Sequence, residues 1–189
     1  MICWSKIVIR PSICVGICVS AVVLPIYWTI AWVIAGLIHE LGHIITLKLF
    51  MIPIHKISFA IGGAYIETGY MRNIDEIIVS AAGPVAGLLG MLIFFRYPYI
   101  ALCAFIQSIY NLLPFPCYDG GRIISAFADI ILSTLVAQKV YSAIMILTAA
   151  LLVAVGLYMW IMLGLGVISF LLFVIPVLKS GIIKIPCKR

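Results

Sequence analysis

From Ile7 to Phe50 the chain is an almost unbroken apolar run, and a run of that length is kept from water most simply inside a lipid bilayer. It is too long for one crossing and about enough for two helices of roughly 20 residues each. Pro25 is the natural place to turn. We therefore read a first span at about 7–24 and a second at about 27–50, with Lys48 near the exit of the second. A single long tilted helix is the competing reading, and it would invert the N-terminus. Further spans are read at about 77–95, 99–113, 140–158 and 160–178.

Of 189 residues, 66% are apolar and 10% charged, whereas soluble domains carry about a quarter charged residues. Mean hydropathy is +1.30. The expected fold class is an all-α polytopic membrane protein of about six transmembrane helices, one embedded domain over residues 1–189. Its motif-bearing core is at about 11–130 and its accessory spans at about 140–178. The net charge of +6 does not point to nucleic acid, because the basic residues stand singly between apolar runs rather than in an aromatic-interleaved patch. Lys6 and Arg10 before an apolar run imitate a secretory signal, but no small-residue cleavage site follows, so an uncleaved first span is expected. The six cysteines include no C-x-x-C pair; neither a disulfide nor a cysteine metal site is assigned.

Within the second span stands His39-Glu40-Leu41-Gly42-His43. On a helix, positions i and i+4 lie on one face, so both imidazoles can reach one metal ion. This is the H-E-x-x-H pattern, in which two histidines bind zinc and the glutamate acts as general base toward the water the metal activates. Three ionisable groups inside a bilayer are costly and mark function by default. The alternative is a helix end at which His39 and Glu40 snorkel or pair with each other.

Met51 to Arg72 is the least helical stretch. Alternation through Ile57-Ser58-Phe59-Ala60-Ile61, then Gly62-Gly63, then Ala64 to Thr68 predicts two short strands around a Gly-Gly turn. Such a hairpin has an open edge on which an extended peptide can pair, the alternative being a plain surface loop. His55, beside Lys56, is expected to be solvated. Asn73 is expected to cap the third span, with Asp75 and Glu76 in its first turn. Ala82, Ala86 and Gly90 in that span let helices approach closely.

The fourth span ends in Asn111-Leu112-Leu113-Pro114-Phe115-Pro116-Cys117-Tyr118-Asp119-Gly120-Gly121-Arg122. Two prolines stop the helix and a glycine pair permits a tight turn, leaving Asp119 at the broken end of a membrane segment. Irregular backbone at that depth is tolerated where it is buried in protein or lines a watery cavity. Alternatively, Asp119 simply caps the next helix. With the N-terminus cytoplasmic, every basic residue except Arg96 falls inside or at the inner boundary. That threading brings both His43 and Asp119 to inner ends of their spans. His39, His43 and Asp119 then supply the three protein ligands of a hydrolytic zinc site, and Glu40 the base. Asn111 is read either as a hydrogen-bonding group for a substrate backbone or ligand, or as a packing amide.

The H-E-L-G-H sequence at 39–43, Ala82-Gly83-Pro84, and the Asn111 to Gly121 stretch resemble the three motif regions of the site-2 protease family of intramembrane zinc metalloproteases. The resemblance covers about Pro11 to Arg122, and within the family the chain is most similar to the stage IV sporulation protein FB branch. It implies six spans, one Zn2+, His39, His43 and Asp119 as ligands, Glu40 as catalytic residue, and Gly62-Gly63 as a membrane-associated hairpin near the substrate path. It further implies a bacterial cell-membrane enzyme with cytoplasmic termini that cleaves a membrane-tethered protein such as a sporulation sigma-factor precursor. Three departures stand out: no nucleotide-sensing CBS domain is expected after the last span, the Arg96–Tyr99 turn leaves no room for a PDZ domain, and the position after Gly-Pro that is often Asn is Gly87. A metal-binding or metal-transporting membrane protein is the alternative function, and a catalytically silent binding partner a third. An inhibitory or regulatory membrane partner is left open.

Overall fold

The computed structural model describes residues 6–60, 63–162, 164, 174, 175 and 177. The chain divides into two compact units, Met1–Asn111 and Leu112–Arg189.

The first unit runs β1 (Lys6–Ile9), α1 (Pro11–Val23), α2 (Ile26–Leu49), β2 (Ile54–Ala60), β3 (Gly63–Thr68), α3 (Asn73–Ile93) and α4 (Pro98–Asn111). The expected first span is thus a strand followed by a helix of 13 residues, about 20 Å long and short of the roughly 30 Å hydrocarbon core. Arg10 precedes Pro11, and a residue before proline is pushed to extended backbone; its φ of −81° and ψ of 142° obey that rule. Ile7, Val8 and Ile9 are β-branched residues that pair with Ile57, Ser58 and Phe59. Hydropathy cannot tell such a strand from the start of a helix.

The expected hairpin forms. β2 and β3 pair antiparallel from Ile54↔Thr68 to Ala60↔Gly63, with an irregularity between Ile54 and Lys56. β1 adds parallel to β2, giving the order β1-β2-β3, so β3 is an edge. β1 and β2 are joined by a crossover over residues 10–53 that holds α1 and α2.

Three helices of the first unit pack through small residues. Thr29, Ala31, Ala35, His39, Gly42, His43 and Leu47 of α2 are buried, while Leu37, Leu41 and Ile45 face outward. Apart from Leu47, the buried stripe is built from small or polar residues while large apolar side chains face outward, as expected where lipid tails remove any hydrophobic drive between helices. Ala31 and Ala35 of α2 meet Cys103 and Ala104 of α4, with Trp28 and Ile100 packed on the cluster. A Cβ on Gly42 would collide with the carbonyl of Ala82 and with Ala86; one on Gly90 would press Ile38, and one on Gly87 would meet Ser108 Oγ. Gln107 Nε2 donates to Trp32 O at 2.8 Å, a polar tie between α4 and α2. α3 begins one residue earlier than a cap at Asn73 would have it: Arg72 is the flanking residue and no side chain caps it. Instead the Arg72 guanidinium grips Asp75 with two bonds, at 2.8 and 3.0 Å.

The second unit holds α5 (Asp119–Ile131) and α6 (Thr134–Ile161). α6 contains the fifth expected span and extends it at both ends; most of the sixth, about 160–178, lies outside the described residues. Among the described residues, α2, α3 and α6 are long and apolar enough to cross a membrane; α4, with 14 residues, is shorter.

Replacing Gly42 by Ala should force α2 and α3 apart, because the new methyl meets backbone rather than a movable side chain. The expected cost is about 1–3 kcal/mol, read as a lower apparent Tm in detergent; an unchanged Tm would contradict this packing.

Candidate metal centre

His39 and His43 stand one turn apart on the protein-facing stripe of α2, at 4% and 7% exposure. Their Nε2 atoms converge to 3.2 Å, with the rings edge to face. The Nδ1 of His43 lies 2.8 Å from Val79 O on α3. A carbonyl can only accept, so Nδ1 carries the proton and Nε2 is left with a lone pair, the form that binds metal. Two nitrogens bound to one tetrahedral zinc at about 2.0–2.1 Å sit about 3.3 Å apart. The pair therefore fits that ion in spacing, and His43 fits it in protonation as well.

Gly83 makes the room for this pair. A Cβ at Gly83 would run into His43 Nε2 and lie 2.8 Å from His39 Nε2, so α3 passes the imidazoles with bare backbone. The Gly83-Pro84 pair is legible in the sequence as part of a motif region of the resemblance; its contact with the histidines depends on the register between α2 and α3. Pro84 adds a second effect. It has no N–H to give to the carbonyl one turn earlier, at Ser80, so the backbone ladder is interrupted beside the residue that supports His43.

Glu40 is half-buried, and its Oε1 accepts the backbone N–H of Ala64 at 3.2 Å. Gly63, the first residue of β3, has a φ of +117°, and a Cβ there would lie 3.9 Å from the same oxygen. Such a φ is open to glycine and strained for other residues. The hairpin tip therefore reaches the carboxylate of the H-E-x-x-H motif. Gly62 lies outside the described residues. Asn111 is the last residue of α4 and half-buried; His55 is exposed on β2, as expected.

In the second unit, Asp119 is the first residue of α5, at 8% exposure. It stands where a helix N-terminus favours negative charge, but the flanking residue is Tyr118 and no side chain caps it. The loop before it is tight: Phe115 N donates to Leu113 O and Tyr118 N to Phe115 O, at 2.8 and 2.9 Å. Gly120 and Gly121 are required there, since a Cβ on the first would strike Leu112 O and on the second Phe115 O. Phe115 is fully buried. The two prolines and two glycines thus let one loop fold tightly over the first turn of α5.

The family model for Peptidase family M50 matches residues 95–155, a stretch that holds Asn111 and Asp119 but not the H-E-x-x-H motif. Comparison with curated proteins finds no match. Among solved structures, the chain is similar to the site-2 protease from Methanocaldococcus jannaschii, with a TM-score of 0.65 and 18% identity, covering 93% of this chain and 88% of that one. At that identity the likeness is one of fold.

Gly83→Ala should weaken zinc binding by roughly tenfold or more, because the methyl occupies the space between the imidazoles. Metal analysis of the purified protein checks this, with circular dichroism to verify helix content. Gly87→Ala, whose methyl would press on Ser108 and the Ala104 carbonyl of α4 rather than on the imidazoles, should bind zinc as the wild type does. Equal zinc affinity in the Gly83 variant would refute the assignment.

Proposed function

We propose that this chain is an intramembrane zinc endopeptidase of the site-2 type that cuts a transmembrane or juxtamembrane segment of a membrane-tethered protein. One zinc ion is assigned to His39, His43 and Asp119, the ligand set that the motif resemblance implies, with the fourth tetrahedral position left open. The observation that carries this reading is the convergence of the two Nε2 atoms beside Glu40, with His43 held in its metal-binding tautomer by Val79 O. The M50 match over residues 95–155 supports it from the other end of the chain.

Zinc bound there supplies Lewis acidity, polarising a peptide carbonyl and making water a stronger acid. Glu40 takes a proton from the attacking water at its carboxylate and hands it to the departing amine as the peptide C–N bond breaks. Asp119 stands in the first turn of α5, where a helix N-terminus favours negative charge. Substrate must be extended at the cut, because a helical peptide bond is hidden by its own hydrogen bonds. The outer edge of β3, which begins at Gly63, offers main-chain groups to such a peptide, and Gly62, Gly63 and Asn111 are assigned to substrate binding.

The narrower reading is a bacterial cell-membrane enzyme of the sporulation branch, with cytoplasmic termini, acting on a sigma-factor precursor. Its support is the motif resemblance and the bias of basic residues to one side.

Glu40→Gln should keep its zinc and lose cleavage of a co-expressed membrane-tethered substrate by roughly 10²–10⁴-fold. His43→Ala and Asp119→Asn should lose zinc as well. A wild type that binds zinc and cuts none of several membrane substrates, indistinguishably from Glu40→Gln, would overturn the peptidase reading.

A further inference from the structure

The bond between Ala64 and Glu40 also bears on when the base is available. In an antiparallel pair, alternate residues turn their N–H and C=O toward the partner strand and away from it. Gly69 N, just beyond the end of β3, turns inward to Pro53 O at 3.0 Å. Ala64 N turns the other way, to Glu40. By alternation, Ala64, Ile66 and Thr68 present their main-chain groups on the outer side of β3. Among the described residues no strand pairs there, since β3 ends the order β1-β2-β3. An extended peptide added to that edge needs the N–H of Ala64 for one of its carbonyls, and that N–H is the one bonded to the Glu40 carboxylate.

We propose that Ala64 N–H is exchanged between Glu40 and the substrate: it holds the carboxylate against the hairpin until a strand seats on β3, and the substrate carbonyl then takes it over and releases Glu40 for proton transfer. Ala64 is thus a positioning residue acting through its backbone. The proposal rests on the peptidase reading of the site. It makes base release conditional on an extended segment, so that a passing helix in the bilayer, whose carbonyls are already bonded, leaves Glu40 held.

The test is a double-mutant cycle on binding, using the full zinc-loaded chain in detergent micelles. The probe is a fluorophore-labelled decapeptide of alternating Val and Thr, read from the initial anisotropy before any cleavage. Glu40→Ala removes the competitor and should bind the peptide about five- to tenfold tighter than wild type, the scale of one net hydrogen bond. Ala64→Pro removes the N–H at an outward-facing edge position, where proline is tolerated, and should bind more weakly. Adding Glu40→Ala to Ala64→Pro should then change affinity less than twofold. Should Ala64→Pro not fold, hydrogen exchange at the Ala64 amide replaces it: fast in Glu40→Ala alone and protected again when peptide is added. Equal or weaker binding by Glu40→Ala, a gain that persists in the Ala64→Pro background, or an Ala64 amide indifferent to Glu40 and peptide would each overturn the exchange. Hydrolysis is scored separately. Wild type that cuts a membrane-tethered substrate without this cycle refutes the exchange and leaves the peptidase reading; the cycle without hydrolysis does the reverse.

Discussion

The hydrogen bond from His43 Nδ1 to Val79 O is the interaction on which the first unit's chemistry depends. It sets which nitrogen of the ring carries the proton, and so leaves the lone pair on the side facing His39. It exists because α3 comes close enough to α2 for a backbone carbonyl to reach a side chain one helix away. That approach is made of absences: no Cβ at Gly42 against Ala82, and none at Gly83 against the imidazoles. In lipid, where burial of apolar surface gives helices little reason to associate, close backbone contact and polar ties such as Gln107 to Trp32 O supply the attraction instead. One set of glycines therefore both holds the helices together and leaves space for two imidazoles.

The sheet is joined to this centre through Glu40. A three-stranded sheet with a terminal strand is a surface on which further strands can add, and proteins usually blunt such edges. Here the first outward N–H of the edge is bonded to the carboxylate of the H-E-x-x-H stretch. The same link that covers part of the edge ties it to the site. Gly63, with its positive φ, brings the strand end to that carboxylate.

Much of this was legible residue by residue. His39, Glu40 and His43 announce themselves because charge and imidazole are expensive in an apolar run, and the i, i+4 spacing leaves little choice of face. The hairpin around Gly62-Gly63 was visible in its alternation, and Asp119 in the Pro-x-Pro and Gly-Gly that bracket it. The first span was misjudged, because Ile7 to Ile9 are as apolar as a helix would be and only their pairing with β2 marks them as a strand. Asn73 was taken for a cap on residue type alone, whereas the Arg72 to Asp75 ion pair organises that turn. Gly83 was visible as a small residue, and Ala64 not at all: an alanine carries no side-chain signal when its backbone N–H does the binding.

What the sequence determined by itself was the set of groups that can do chemistry and the solvent they sit in, since both follow from residue type and from spacing along a helix of known pitch. Tertiary structure alone decided the register between α2 and α3, and with it the proton on His43 and the gap at Gly83. It also decided which edge of the sheet meets Glu40. Those outcomes depend on backbone atoms of residues far apart in the chain, and a backbone carbonyl or N–H is the same at every position until folding aims it.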